Sequence, residues 1–142
     1  MAPDLDVVAF RMGISYANEF GHRGASHSLA FAALLGALAC LFAHRLRSTG
    51  LTTFLFVFAA AASHGLLDMA TRGGLGIALF WPLSDQRYFY AFRPIVVSPL
   101  SLQRALDSSR LWASELLWVW LPCATMGATL FLVHRALAKR YS

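Results

Sequence analysis

An all-α, integral membrane helical bundle is the fold class this sequence predicts, and three observations carry it. Hydrophobic residues make up 58% of the 142 residues and charged residues 13%, against about 45–50% and about 25% in an ordinary soluble domain. Mean hydropathy is +0.56. The apolar residues gather into three runs that charge hardly interrupts, each near the roughly 20 residues a spanning helix needs. The length suits one domain, so residues 1–142 are taken as a single membrane-embedded unit with about three spanning helices.

The leading segment, residues 1–27, has no apolar stretch of signal-peptide type and carries Asp4, Asp6, Arg11, Glu19, His22 and Arg23. The first span, 28–44, rises through about 24 Å over its uncharged part, slightly short of a hydrocarbon core about 30 Å thick. Ser26 or Ser28 suits its N-cap, and His44, Arg45 and Arg47 follow its last apolar turn, where cations complement the helix dipole. The second span, 51–69, ends in Ser63, His64 and Asp68, and the short linker before it forces the two helices antiparallel.

The third span, 115–134, has Trp118 and Trp120 near one end and His134, Arg135, Lys139 and Arg140 at or past the other. Pro122 within it predicts a kink. Between the second and third spans, residues 70–114 hold Gly73, Gly74, Gly76, several prolines and the aromatics Phe80, Trp81, Tyr88, Phe89, Tyr90 and Phe92. This composition predicts a long interfacial loop, because irregular backbone is excluded from lipid-facing hydrocarbon.

The net charge of +5 is scattered among apolar runs and forms no basic stripe, which excludes nucleic acid as a partner and leaves membrane lipid. The short hairpin loop and the carboxyl tail carry five Lys and Arg, and the longer segments on the other side carry seven. Basic density therefore favours a cytoplasmic hairpin loop and a His and Asp cluster on the outer face, whereas the raw count favours the reverse. Cys40 and Cys123 sit in apolar runs without a C-x-x-C spacing and are read as small core residues.

Metal sites need imidazoles and carboxylates that converge to about 2.0–2.2 Å from one ion. His64 and Asp68, four residues apart, share one helix face. With the hairpin turn centred near residues 47 and 48, antiparallel packing sets His27 beside Asp68 and Phe31 beside His64. His22 lies on the adjoining segment, and Asp4 and Asp6 lie upstream on the same side of the membrane. Six candidate ligands result: Asp4, Asp6, His22, His27, His64 and Asp68. The competing explanation is polar capping of helix ends at the interface, where ionisable groups cost less than at the bilayer centre. It does not explain why His64 and Asp68 face His27.

His44 and His134 follow helix C-termini and are excluded as ligands. Glu115 suits a first helical turn and is kept only as a peripheral candidate. Arg23, Arg72, Arg87 and Arg93 surround the cluster in sequence, where guanidinium forks suit phosphate or carboxylate oxygens or lipid headgroups. Arg23 and Arg72 are the substrate-binding candidates.

Three blocks, Pro3 to Asp6, His22 to Ser28 and Ser63 to Asp68 with the residues just after it, resemble those of the bacterial membrane-bound metal-dependent hydrolases, the YdjM-like, LexA-regulated inner-membrane family. Pro3-Asp4-Leu5-Asp6 is similar to that family's PDxD segment. His22-Arg23-Gly24-Ala25-Ser26-His27-Ser28 is similar to its HRGxTHS segment, with serine in place of threonine. Ser63-His64-Gly65-Leu66-Leu67-Asp68, with Thr71, Gly73, Gly74 and Leu79-Phe80-Trp81-Pro82, resembles the remaining block. The resemblance implies a bacterial inner-membrane, multi-pass location, one or two divalent metal ions, zinc in the first instance, and hydrolysis. Members of that family begin with an additional apolar helix opening on a Thr-His pair, whereas this sequence starts at Met1-Ala2-Pro3-Asp4, so a truncated start is expected.

The function these readings converge on is a membrane-bound metal-dependent hydrolase acting on a phosphoester or lipid substrate. A carboxylate among Asp4, Asp6 and Asp68 that is not a ligand serves as general base. The alternative is a non-catalytic metal-binding membrane scaffold or stress protein. A transporter ranks last, because the cluster lies at the helix ends and not at the bilayer middle.

Overall fold

The computed structural model describes residues 3–97, 103 and 106–140. Among these residues every regular element is helical, and Ile77 and Tyr88 form an isolated antiparallel bridge. The packing divides the chain, taken above as one domain, into two compact units, Met1–Arg93 and Pro94–Ser142.

The first unit opens with a 3-10 turn, Pro3–Asp6, continuous with a short helix α1, Val7–Arg11. A second 3-10 turn, Ala25–His27, leads into α2, Leu29–Cys40, and α3, Gly50–Met69. Ser28 caps α2 by accepting from the Phe31 amide at 3.0 Å, and Thr49 caps α3 by accepting from the Thr52 amide at 3.1 Å. Each cap satisfies an amide that the first helical turn leaves without an internal partner. A further first-turn amide, that of Leu29, donates to Leu79 O at 3.0 Å.

Helix α2 ends at Cys40, short of the expected boundary at residue 44. The hairpin reversal takes its turn from the apolar run itself: the Leu41 and Phe42 amides bond only three residues back, and Arg47 adopts a left-handed φ of 52°. With 12 residues, α2 rises only about 18 Å. It is the shorter apolar helix, while α3 and the continuous helix Ser109–Lys139 are each long and apolar enough to cross a membrane.

Two glycines let the hairpin close. A Cβ on Gly36 would stand 2.9 Å from the Phe54 ring and 3.1 Å from the Phe54 carbonyl oxygen. A Cβ on Gly65 would stand 3.0 Å from the His27 carbonyl oxygen. Small residues at such crossings allow backbones to approach where lipid supplies no hydrophobic drive between helices.

The segment after α3 folds back over the unit. Ile77 and Tyr88 exchange backbone hydrogen bonds at 3.1 and 2.9 Å, and the Ala78 amide donates to Arg23 O at 3.2 Å. Ile77 and Ala78 are buried. Part of the loop expected at the interface therefore forms a lid over the second 3-10 turn.

In the second unit, α4, Ser109–Glu115, runs through a π-helical turn, Leu116–Trp120, into α5, Leu121–Arg140. Ser108 caps α4 by accepting from the Leu111 amide at 3.3 Å, so the helix begins at residue 109 and not 115. The expected loop correspondingly stops before residue 109, and its residues 98–102, 104 and 105 lie outside the described ones. Where the kink is expected, at Pro122, the structure has a π turn before the proline: the Leu121 amide reaches Leu116 O, five residues back. Proline has no amide to donate and crowds the carbonyl four residues before it, and a widened turn accommodates both.

The close approach at Gly36 has a measurable consequence. Gly36→Leu should lower the thermal unfolding midpoint of the detergent-purified protein, at an overpacking cost of about 1–3 kcal/mol. An unchanged midpoint would show that the crossing is not tight.

Candidate metal centre

Four side chains from three pieces of chain meet at one end of the hairpin. Asp4 comes from the first 3-10 turn, His27 closes the second, and His64 and Asp68 stand one turn apart on α3. His64 Nε2 lies 3.1 Å from Asp4 Oδ1 and 3.9 Å from Asp68 Oδ2, and His27 Nε2 lies 3.4 Å from Asp68 Oδ2 and 3.6 Å from Asp4 Oδ1. One ligand atom from each of the four lies within 4.8 Å of all the others. Ligands about 2.1 Å from a tetrahedral ion are separated by about 3.4 Å. The observed separations straddle that edge length, so the donor set fits one ion.

His27 is the buried member, with no exposed side-chain surface, against 17% for Asp68, 26% for His64 and 41% for Asp4. Its Nε2 is buried without a hydrogen-bond partner. Sequence register placed Phe31 opposite His64. In the structure the second 3-10 turn brings the His27 ring itself there, with ring centroids 5.2 Å apart.

Asp6 and His22, two of the six candidates, lie behind His27 and outside the group of four. Asp6 Oδ1 is 2.6 Å from His22 Nδ1, and Asp6 Oδ2 accepts from Ser26 Oγ at 2.6 Å and from the Arg23 amide at 3.1 Å. The same Oδ2 stands 3.2 Å from His27 Nδ1.

Arg23 is buried at a left-handed φ of 65°. Its Nη1 donates to Thr71 Oγ1 at 2.9 Å and Gly73 O at 2.8 Å, and its Nη2 lies 3.4 Å from Asp68 Oδ1. It braces Asp68 with the oxygen that does not face the histidines. Arg72 is exposed and donates from Nε to Arg93 O at 2.8 Å. Glu115 belongs to the second unit, as does His134, and His44 sits in the turn at the far end of the hairpin.

Sequence reasoning gave no structural role to Gly65, whose bare Cα admits His27, nor to Arg87. The Arg87 guanidinium donates to the carbonyls of Tyr16, Asn18, His22 and Gly76 at 3.0–3.4 Å and so clamps the segment that carries His22 and His27. Only the closeness of Gly65 to His64 and Asp68 in the chain signals its role, and nothing local marks Arg87.

Burial opposes charge on His27, but the surrounding carboxylates of Asp4, Asp6 and Asp68 outweigh it and push the imidazole up to about 10. Burial likewise works to raise Asp4 and Asp6. The neighbouring His27 imidazole, with hydrogen bonds from His64 to Asp4 and from His22 and Ser26 to Asp6, holds both carboxyls below their usual range. Without metal, the carboxylates thus draw a proton into the place an ion would take.

Linkage gives the sign of the pH dependence. A raised imidazole stabilises fully below its ordinary 6.5 and loses that contribution as pH rises towards 10. Depressed carboxyls stabilise above their ordinary 3.8 and lose their contribution in acid. Metal-free protein in chelator should therefore be most stable between 3.8 and 6.5, with a thermal midpoint that falls on the alkaline side. His27→Gln should flatten the alkaline fall; an alkaline limb as steep as the wild type's would contradict this charge arrangement.

The profile of the YdjM inner membrane protein matches residues 1–140. Inner membrane protein YbcI of Escherichia coli (strain K12) is similar to the chain, 42% identical over 125 residues that cover 86% of this chain and 72% of that protein. No solved structure matches. With apolar helices of membrane-crossing length and a match that runs through both units, the chain belongs to the YdjM family of inner membrane proteins.

Proposed function

We propose that the chain is a multi-pass inner-membrane hydrolase in which His27, His64, Asp68 and Asp4 surround one divalent metal ion, zinc, and act on a phosphoester or lipid substrate at one face of the bilayer. The observation that carries this reading is His27 Nε2, buried without a hydrogen-bond partner and aimed at two carboxylates and a second imidazole. Two imidazoles with carboxylate oxygens form a donor set that suits zinc. A divalent ion bound there supplies water whose pKa falls from about 15.7 towards about 7.

The chain's own groups divide the remaining work. His27 and His64 supply neutral nitrogen donors, and Asp68, braced by Arg23, supplies an oxygen. Asp4 is the most exposed of the four and stands at the open edge, where its carboxylate is placed to take a proton from an entering water. Arg72, exposed after α3, suits a phosphoryl or carboxyl oxygen. The engagement of Asp6 and His22 behind His27 favours one ion over two.

One observation favours the alternative of a metal-binding scaffold or stress protein: four donors so close together suffice to close a tetrahedral shell. Metal analysis of detergent-purified protein addresses the site itself. His27→Ala and Asp68→Ala should each lose the metal, and unchanged content in both would sink it. Asp4→Asn separates the two roles. As general base, Asp4 leaves the metal in place when changed, while chelator-sensitive turnover of generic phosphoester or carboxyester substrates drops by about 10²–10⁴-fold. As a fourth structural ligand, its change releases metal, and the wild type turns nothing over.

A further inference from the structure

The geometry points to Asp6 as a positioning residue: together with Ser26 it holds a proton on His27 Nδ1 and so presents Nε2 bare to the ion. The inference rests on the metal reading above and adds what fixes the ligand's tautomer.

Two oxygens face His27 Nδ1, Ser26 Oγ at 3.0 Å and Asp6 Oδ2 at 3.2 Å. The Ser26 hydroxyl has one proton, and Asp6 Oδ2, 2.6 Å away, takes it. The serine oxygen is then an acceptor towards the ring, and an ionised carboxylate is always one. Both neighbours of Nδ1 being acceptors, the nitrogen must donate. In the neutral ring that a metal requires, the lone pair consequently falls on Nε2, the atom facing Asp4, His64 and Asp68.

Asp6 is itself held from several directions. His22 Nδ1 engages Oδ1, the Arg23 amide engages Oδ2, and only 6% of the side chain is exposed. One short stretch, from His22 to His27, thus wraps a single carboxylate with an imidazole, a backbone amide and a hydroxyl, and turns its final imidazole towards α3. Partners behind a metal-bound imidazole orient the ring and raise its basicity, and their loss costs about 10–100-fold in metal affinity. In Asp6→Asn the amide group can turn its N–H towards Nδ1, which favours the wrong tautomer.

The test uses the full chain in detergent with zinc as the probe. Nitrogen-15 NMR of the zinc-loaded wild type should show His27 protonated at Nδ1 and metal-bound at Nε2; zinc on Nδ1 overturns the proposal whatever the variants do. Asp6→Asn should bind zinc about 10–100-fold more weakly, with helical content by circular dichroism unchanged, while Ser26→Thr, which keeps the hydroxyl, should retain wild-type affinity. Asp6→Asn binding as tightly as a wild type that uses Nε2 overturns the positioning role alone. A wild type that takes up no zinc overturns the metal reading on which it rests. A misfolded Asp6→Asn leaves the decision to the wild-type ring assignment.

Discussion

His27 places an imidazole with no exposed surface among the carboxylates of Asp4, Asp6 and Asp68, and most of the first unit follows from that juxtaposition. Carboxylates withdrawn from water need cationic or hydrogen-bonding partners. These three arrive from two parts of the chain, so the first 3-10 turn must lie against the second, and both against the end of α3. Gly65 makes the last contact possible, because any side chain there would press on the His27 carbonyl. Arg23 backs Asp68, and the lid segment ties to the same stretch through the Ala78 amide and Arg23 O.

The cationic residues near the cluster divide by burial. Arg23 donates from Nη1 to Thr71 and Gly73, and Arg87 donates to four carbonyls. They hold the site together. Arg72 and Arg93 are exposed, with Arg93 stacked on Phe89 at 4.6 Å, and they are the cations that face outward. The site's polarity is concentrated where α2 begins and α3 ends, which suits an inner membrane protein, since ionisable groups cost least near the ends of spanning segments. Along the helices much of the exposed surface is apolar, with Leu51, Leu55 and Phe56 on α3 and Leu130, Phe131 and Leu132 on α5.

Apolar composition and the placement of charge were enough to determine an all-helical membrane protein, a short-linked antiparallel hairpin, and a gathering of His27, His64 and Asp68 at one end of it. Those inferences need only the helical repeat and the position of the turn. Asp4 was legible as a neighbour of the cluster but not as its open edge. What tertiary structure alone decided was the division among the six candidates. Asp4, His27, His64 and Asp68 converge, whereas Asp6 and His22 stand behind. Sequence spacing cannot distinguish a carboxylate that faces Nε2 of a ring from one that faces Nδ1, because that depends on how two irregular turns cross a helix, and no local repeat encodes such a crossing. The same limit hid the role of Gly65 and the clamp of Arg87, which act through backbone atoms distant in the chain.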